Sequence, residues 1–127
     1  MTRQIKNILL MCIFWNFLFP AYLENIPLKI YQPNSSVVDC FISGDEFYAR
    51  IHDEDNYTII QHPDDGYYYY AIQNNNKVVP SSIVVSSNAE RGSLIPNIRI
   101  SRQEYLFKKN KFKEGRERRD APTSGVV

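Results

Sequence analysis

The stretch FYARIHDEDNYTIIQHPDDGYYYYAI, residues 47–72, is the part of this chain that points most clearly to a fold class. Apolar and polar side chains alternate along residues 47–52, so that Phe47, Ala49 and Ile51 face one way and the intervening residues the other. Two polar segments follow, at residues 53–56 and 62–66, and the second contains an Asp-Gly pair that favours a hairpin turn. The stretch therefore predicts three short antiparallel strands.

Strand and turn signals continue on both sides of this stretch. Residues 37–42 form a strand candidate before it, and residues 83–85 form another after it, with Pro80 expected to interrupt the chain between. A further strand near residues 29–32 is bracketed by two prolines. Turn signals recur about every ten residues, which is typical of a β-meander. We predict a mainly β fold, a small antiparallel meander of four to six strands, between an amino-terminal hydrophobic segment and a basic helix.

Tyrosine is unusually frequent in the predicted sheet. Four tyrosines in a row must place aromatic rings on both faces of one strand, because successive side chains of a strand alternate. One face is expected to pack on a small core, and the other to be covered by another element or to form a contact surface. The residues predicted to form a docking surface are Tyr48, Tyr67, Tyr68, Tyr69 and Tyr70.

The carboxyl-terminal third differs from the sheet in charge and pattern. Ser101 and Glu104 match a capping box, which predicts a helix from Arg102 to Glu114 that Gly115 ends. Residues 99–120 contain nine Lys or Arg against four Asp or Glu, while the rest of the chain has six against ten. The net charge of +1 over 127 residues thus combines an acidic sheet with a basic end.

The amino terminus has the pattern of a targeting segment. Arg3 and Lys6 precede the apolar residues 8–19, and an apolar run of about 12 residues is too short for a spanning helix, which needs about 20. We predict a signal peptide over residues 1–21, cleaved after Ala21, with an uncleaved signal anchor as the alternative. The protein is then secreted or extracytoplasmic, and it meets the membrane only through this segment.

Motifs for catalysis or metal binding are absent from the sequence. H-E-x-x-H, the zinc-protease motif, does not occur. The acidic residues 53–55 beside His52 lack the spacing of a calcium loop, which favours a hairpin turn there. We therefore predict no catalytic residue, no metal ligand and no cofactor in this chain. Removal of the signal peptide would also remove Cys12, so that Cys40 has no partner for an internal disulfide. Cys40 is then expected to be a buried hydrophobic residue, although a lone cysteine can also ligate a protease zinc.

The basic end allows three interpretations. Its aromatic residues Tyr105, Phe107 and Phe112 could stack on bases, and its charge could attract an anionic membrane surface. An exported protein seldom meets nucleic acid, so no nucleic-acid partner is expected. An exposed basic linker is a natural target for a processing protease, and the predicted processing site is Arg116, Arg118 or Arg119.

Three blocks of the sequence resemble the amino-terminal pro-region of secreted zinc metalloproteases related to immune inhibitor A. They are GDEFYAR at residues 44–50, DNYTII at residues 55–60 and PDDGYYYYA at residues 63–71. Residues 119–125 are similar to the junction at which the family's catalytic domain begins. The resemblance implies that zinc and the catalytic residues belong to that domain, which this chain would lack as a fragment.

Two functions are predicted from these observations. The first is a metalloprotease precursor in which residues 1–21 are a signal peptide, 22–98 a β pro-domain, 99–119 a basic helix with a cleavable linker, and 120–127 the start of a truncated catalytic domain. Its partners would be the catalytic domain in cis and a processing protease, and the chain alone would be inactive. The second is a free-standing secreted β-domain that acts as a binding or inhibitory module.

Overall fold

The computed structural model describes residues 21–120, and these form one six-stranded antiparallel sheet followed by a helix. Each strand pairs with the next along the chain, which confirms the predicted mainly β meander. The predicted signal segment lies outside the described residues except for Ala21. The elements are β1 (Leu23–Tyr31), β2 (Val37–Gly44), β3 (Ala49–His52), β4 (Thr58–Gln61), β5 (Tyr68–Asn74), β6 (Lys77–Val84) and α1 (Arg102–Asp120).

Asparagine and glycine make the tight turns between the strands. Asn56, between β3 and β4, has φ 67°, and Gly66, between β4 and β5, has φ 74°. Asn75 and Asn76 connect β5 to β6 with φ values of 48° and 61°. Positive φ is least costly for glycine and asparagine, so the polar segments of the sequence are turns, as predicted.

Gly44 allows β2 and β3 to approach each other closely. Its φ is 151°, and a Cβ atom there would lie 2.2 Å from the carbonyl oxygen of Tyr48 and 2.6 Å from the Cα of Ala49. No side chain fits in that space without movement of the backbone. The chain therefore needs glycine at the point where β2 ends.

Prolines lie inside both edge strands. Pro27 of β1 pairs with Phe41 of β2, and Pro80 of β6 pairs with Ala71 of β5. The prediction that Pro80 interrupts the strand is wrong, because an edge strand tolerates a residue without an N–H on its unpaired side. The strand continues across Pro80 with a shift of register between Tyr69 and Ala71 of β5.

The hydrophobic core lies on one face of the sheet. Cross-strand pairs such as Leu28 with Cys40 and Ile59 with Tyr70 put apolar side chains on this face. The segment after β6 covers it, since Ala89 and Leu94 pack against the core. The buried residues of the core cluster are Ile30, Cys40, Ile59, Tyr70 and Val85.

Gln32 connects the first strand to the last two. Its side chain is buried, and its Nε2 donates hydrogen bonds to the carbonyl oxygens of Tyr68 (3.1 Å) and Val85 (2.9 Å). Its Oε1 accepts a hydrogen bond from the Tyr68 amide at 2.8 Å. The Tyr68 carbonyl also accepts the Val85 amide at 2.9 Å, and these bonds together bring the end of β1 next to β5 and to the residue that follows β6.

The helix α1 begins as predicted and ends later. The Ser101 hydroxyl accepts a hydrogen bond from the Glu104 amide at 3.1 Å, which confirms the cap. The prediction that Gly115 ends the helix is wrong, because α1 continues to Asp120. Glycine lowers helix stability by only about 1 kcal/mol, and basic residues in the last turn favour the negative end of the helix dipole.

Candidate functional site

Polar side chains are buried on the face of the sheet opposite the core. The register pairs Ser43 with Arg50 and His52 with Thr58, and all four residues are buried. The chain crosses this face before α1, where the Thr58 hydroxyl donates a 2.6 Å hydrogen bond to the Ile98 carbonyl. The alternation in the sequence predicts a common side for Arg50 and His52, but it gives no sign that this side is buried.

Ser43 and His52 form a hydrogen-bonded pair at 2.9 Å between Oγ and Nε2. The His52 Nδ1 lies 2.8 Å from the Asp53 carbonyl oxygen, which can only accept, so Nδ1 carries the proton and Nε2 accepts from Ser43. The Ser43 oxygen also accepts the Asn25 amide at 2.8 Å. In a catalytic triad a carboxylate would bind the histidine Nδ1, whereas here that group is a backbone carbonyl. Together with the Asn25 amide, the pair joins β1, β2 and β3. This arrangement supports structure rather than nucleophilic catalysis.

Arg50 is a buried cation with uncharged partners, being 5% exposed. Its Nη1 donates to the Asn56 carbonyl and the Thr58 hydroxyl, both at 3.1 Å, and its Nη2 donates to the Asn56 Oδ1 at 3.3 Å. Burial lowers the pKa of Arg50, and the nearby positive charge of Arg99 lowers it further. The local field therefore disfavours the charge that Arg50 carries.

A cavity of about 310 Å³ lies beside Arg50, between the end of β2 and the start of α1. None of its three arginines takes part in an ion pair within residues 21–120. Three tyrosine rings supply aromatic walls. We call this cavity the arginine pocket, and its lining residues are Tyr22, Ser43, Gly44, Asp45, Tyr48, Arg50, Arg99, Ile100, Arg102 and Tyr105.

Asp45, which also lines the arginine pocket, accepts hydrogen bonds at both of its carboxylate oxygens. Its Oδ1 accepts the amides of Phe47 and Tyr48 at 2.9 and 3.0 Å, and its Oδ2 accepts the Tyr105 hydroxyl at 2.7 Å. Burial raises the pKa of the Asp45 carboxyl, but the Tyr105 bond and the two amides outweigh it, so the pKa is lowered. Asp45 thus fixes the first turn of α1 against the β2–β3 turn.

On the core face, Asp53 and Asp55 bind a cationic side chain. The Arg91 Nη1 lies 2.7 Å from the Asp53 Oδ2 and 2.6 Å from the Asp55 Oδ2, and its guanidinium lies 4.9 Å from the centre of the Tyr57 ring. The Asp53 Oδ1 accepts the amides of Asp55 and Tyr57. The hairpin-turn prediction is confirmed. Within the described part of the chain, no group of three or more His, Cys, Asp or Glu is placed to hold a metal ion.

The five tyrosines predicted as a docking surface do not form one surface. Tyr70 is 4% exposed and belongs to the core, so its assignment to a docking surface is wrong. Tyr68 packs against the same core, and Tyr48 lines the arginine pocket. The Tyr69 hydroxyl donates a 2.7 Å hydrogen bond to Asp65. Tyr67 and Tyr69 are half-buried. Of the five tyrosines, these two belong neither to the core nor to the lining of the arginine pocket.

The three arginines of the predicted processing site are exposed on the last turns of α1. The Arg118 Nη2 lies 3.9 Å from the Glu114 Oε2, and the Arg119 Nε donates a hydrogen bond to the Gly115 carbonyl at 3.2 Å. The prediction of an extended linker is wrong, because these residues are helical. A protease needs an extended substrate, so cleavage at Arg116, Arg118 or Arg119 remains a prediction that requires the last turns to unwind.

Cys40 is buried in the core, as predicted for a small hydrophobic residue. Its Sγ donates to the Leu28 carbonyl at 3.3 Å. Burial raises the pKa of the Cys40 thiol, and the charge of Asp39 raises it further. Since a metal binds the thiolate, this environment disfavours Cys40 as a zinc ligand.

Comparisons with family models, with curated proteins and with solved structures found no match to this chain. Among residues 21–120, no helix has both the length and the apolar character needed to cross a membrane. Fold and site together define a six-stranded meander with a carboxyl-terminal helix, a buried polar face and a cationic pocket where sheet and helix meet.

Proposed function

We propose that this chain is the amino-terminal pro-region of a secreted zinc metalloprotease related to immune inhibitor A. In this role the sheet assists the folding of a catalytic domain and keeps it latent until a processing protease acts. The observation that carries the proposal is the order of three sequence blocks, at residues 44–50, 55–60 and 63–71. These blocks occupy a continuous part of the sheet, from the end of β2 to the first half of β5.

The attachment of α1 supports the same role. Phe47 holds the helix through edge-to-face contacts with Tyr105 and Phe112, at centroid distances of 6.3 and 5.5 Å. No residue of α1 is buried, and Leu106 and Phe107 are 43% and 67% exposed. A helix with exposed apolar side chains offers a contact surface to a second domain, and its basic end offers a cleavage site once it unwinds.

In this proposal the chemistry of proteolysis belongs to the catalytic domain. Ser43, His52 and Asp53 bind one another and the backbone in a structural network, and Cys40 is held as a buried thiol. The zinc ion and its ligands would be supplied by the partner domain. The pro-region would contribute binding energy and shape, not a reacting group.

The proposal is tested with the purified full chain. Its zinc content and its hydrolysis of casein are measured first, and stoichiometric zinc or turnover would contradict an inactive pro-region. The chain is then mixed in equimolar amounts with a refolding catalytic domain of an immune inhibitor A relative. We expect more folded domain and lower peptidase activity than with bovine serum albumin as the control protein. Unchanged yield together with unchanged activity would also contradict the proposal.

A free-standing binding module is the second candidate, and the arginine pocket favours it. A pocket that combines cationic and aromatic residues is typical of a ligand site, and its presence does not require a catalytic domain. This candidate predicts that the chain binds its ligand alone and leaves metalloprotease refolding unaffected.

A further inference from the structure

We propose that the arginine pocket binds a ligand carrying a single carboxylate group. The observation behind this assignment is Arg50, a buried guanidinium whose hydrogen-bond acceptors, Asn56 and Thr58, are all uncharged. Buried charges in proteins are ordinarily paired with an opposite charge. Within residues 21–120 no carboxylate forms an ion pair with Arg50.

Two further arginines make the pocket more strongly cationic. Arg99 and Arg102 line the same cavity as Arg50, and neither has an ion-pair partner in the described chain. An anion in the cavity would offset the repulsion between these side chains. The first turn of α1 also begins here, at Arg102, and the positive end of the helix dipole adds to the field.

The charge of the pocket favours a carboxylate over a phosphate. The planar fork of a guanidinium matches either group, so the charges around the cavity decide between them. Asp45 also lines the cavity, and its negative charge repels a phosphate dianion more strongly than a carboxylate monoanion. The rings of Tyr22, Tyr48 and Tyr105 form walls suited to an aromatic or apolar body next to the carboxylate.

The test is a titration of the full ¹⁵N-labelled chain with benzoate, followed through the arginine Nε–Hε signals. Benzamide, which has the same shape without the charge, is the ligand control. A second arm uses N-acetylglutamate N-methylamide, which presents a carboxylate as a protein side chain would. Tighter binding of benzoate indicates a free aromatic acid as the natural source, and tighter binding of the glutamate derivative indicates an acidic side chain of a partner.

The double variant R99Q/R102Q supplies the residue test, since both side chains are exposed and their replacement should leave the fold intact. R116Q removes one positive charge from the far end of α1 and serves as the control for a loss of charge away from the pocket. We expect saturable benzoate binding that shifts the Arg50 signal, with an affinity at least about tenfold lower in R99Q/R102Q and unchanged in R116Q. Circular dichroism checks that each variant is folded.

Three results would overturn the assignment. They are the absence of saturable benzoate binding in the millimolar range, binding of benzamide as tight as that of benzoate, and binding of inorganic phosphate tighter than that of both carboxylates. If the double variant does not fold, the wild-type titrations alone decide, because the benzoate–benzamide difference and the Arg50 shift do not depend on a variant.

Discussion

The guanidinium of Arg91 lies 2.7 Å from the carboxylate of Asp53, although 38 residues separate them in the chain. Asp53 follows β3, whereas Arg91 lies in the segment that covers the core after β6. The Tyr70 hydroxyl donates to the same Asp53 oxygen at 3.2 Å. This relationship holds the covering segment on the sheet and joins it to a core tyrosine.

Replacement of Arg91 by glutamine should destabilise the protein. The substitution removes a charge-assisted hydrogen bond from Asp53. Because the Asp53 side chain is only 12% exposed, water can replace that bond only in part. We expect the free energy of unfolding to fall by about 1–2 kcal/mol, measured by urea denaturation. R118Q removes an exposed ion pair of α1 and should cost less than about 0.5 kcal/mol. Equal losses in the two variants would contradict this role for Arg91.

Stability should fall at high pH because of Tyr70. Burial, followed by the charge of Asp53, raises the pKa of Tyr70 to about 12, from 10.0. Between these values the unfolded chain releases a proton that the folded chain retains, so the free energy of unfolding decreases as pH rises from 10 to 12. The loss should reach at most about 3 kcal/mol.

Denaturation curves at pH 9 and pH 11 measure this effect, and Y70F is the comparison. Y70F removes the titrating group, so its loss of stability between the two pH values should be clearly smaller than that of the wild type. A variant with the same pH dependence as the wild type would show that Tyr70 does not cause it.

Substitution of Gly44 by alanine should be strongly destabilising. The new Cβ would lie 2.2 Å from the Tyr48 carbonyl oxygen, so β2 and β3 would have to separate. We expect a loss of more than about 2 kcal/mol. Gly92 is the matched control, since its φ is 50° and a Cβ there meets no atom within 4 Å. G92A should lose only about 1 kcal/mol, the cost of the left-handed backbone. A larger loss for G92A than for G44A would contradict this explanation.

Substitution of Gly115 by alanine should stabilise the end of α1. Gly115 lies inside the helix, and a Cβ there meets no atom within 4 Å. Alanine favours the helix by about 1 kcal/mol relative to glycine. Helix content by circular dichroism should rise, and trypsin should cleave after Arg116, Arg118 and Arg119 more slowly. Unchanged helicity with unchanged cleavage would indicate that the helix ends at Gly115 in solution.

The sheet could be predicted largely because its turns are local. Asn56 and Gly66 have the positive φ that their turns need, and such preferences are visible in a single sequence. The length of α1 could not be predicted, because Gly115 is a common end signal that the favourable charges of the last turns outweigh. The continuation of β6 across Pro80 could not be predicted either, because the effect of a proline depends on whether its strand lies at an edge of the sheet.

The candidate site depends on contacts between residues far apart in sequence. In the sequence, Arg50 has the pattern of an exposed position in an alternating strand, and it is buried only because residues 97–101 cover it in the fold. The Tyr105 hydroxyl binds Asp45 although 60 residues separate the two. Nothing local to either residue indicates these pairings. The burial of Arg50 and Ser43, and the arginine pocket beside them, therefore emerge only from the tertiary structure.

Sequencing of the transcript beyond codon 127 is the most direct test of the proposed pro-region role. The pro-region role predicts an open reading frame that continues in phase and encodes H-E-x-x-H. A stop codon immediately after the codon for Val127 would contradict it and favour the free-standing binding module.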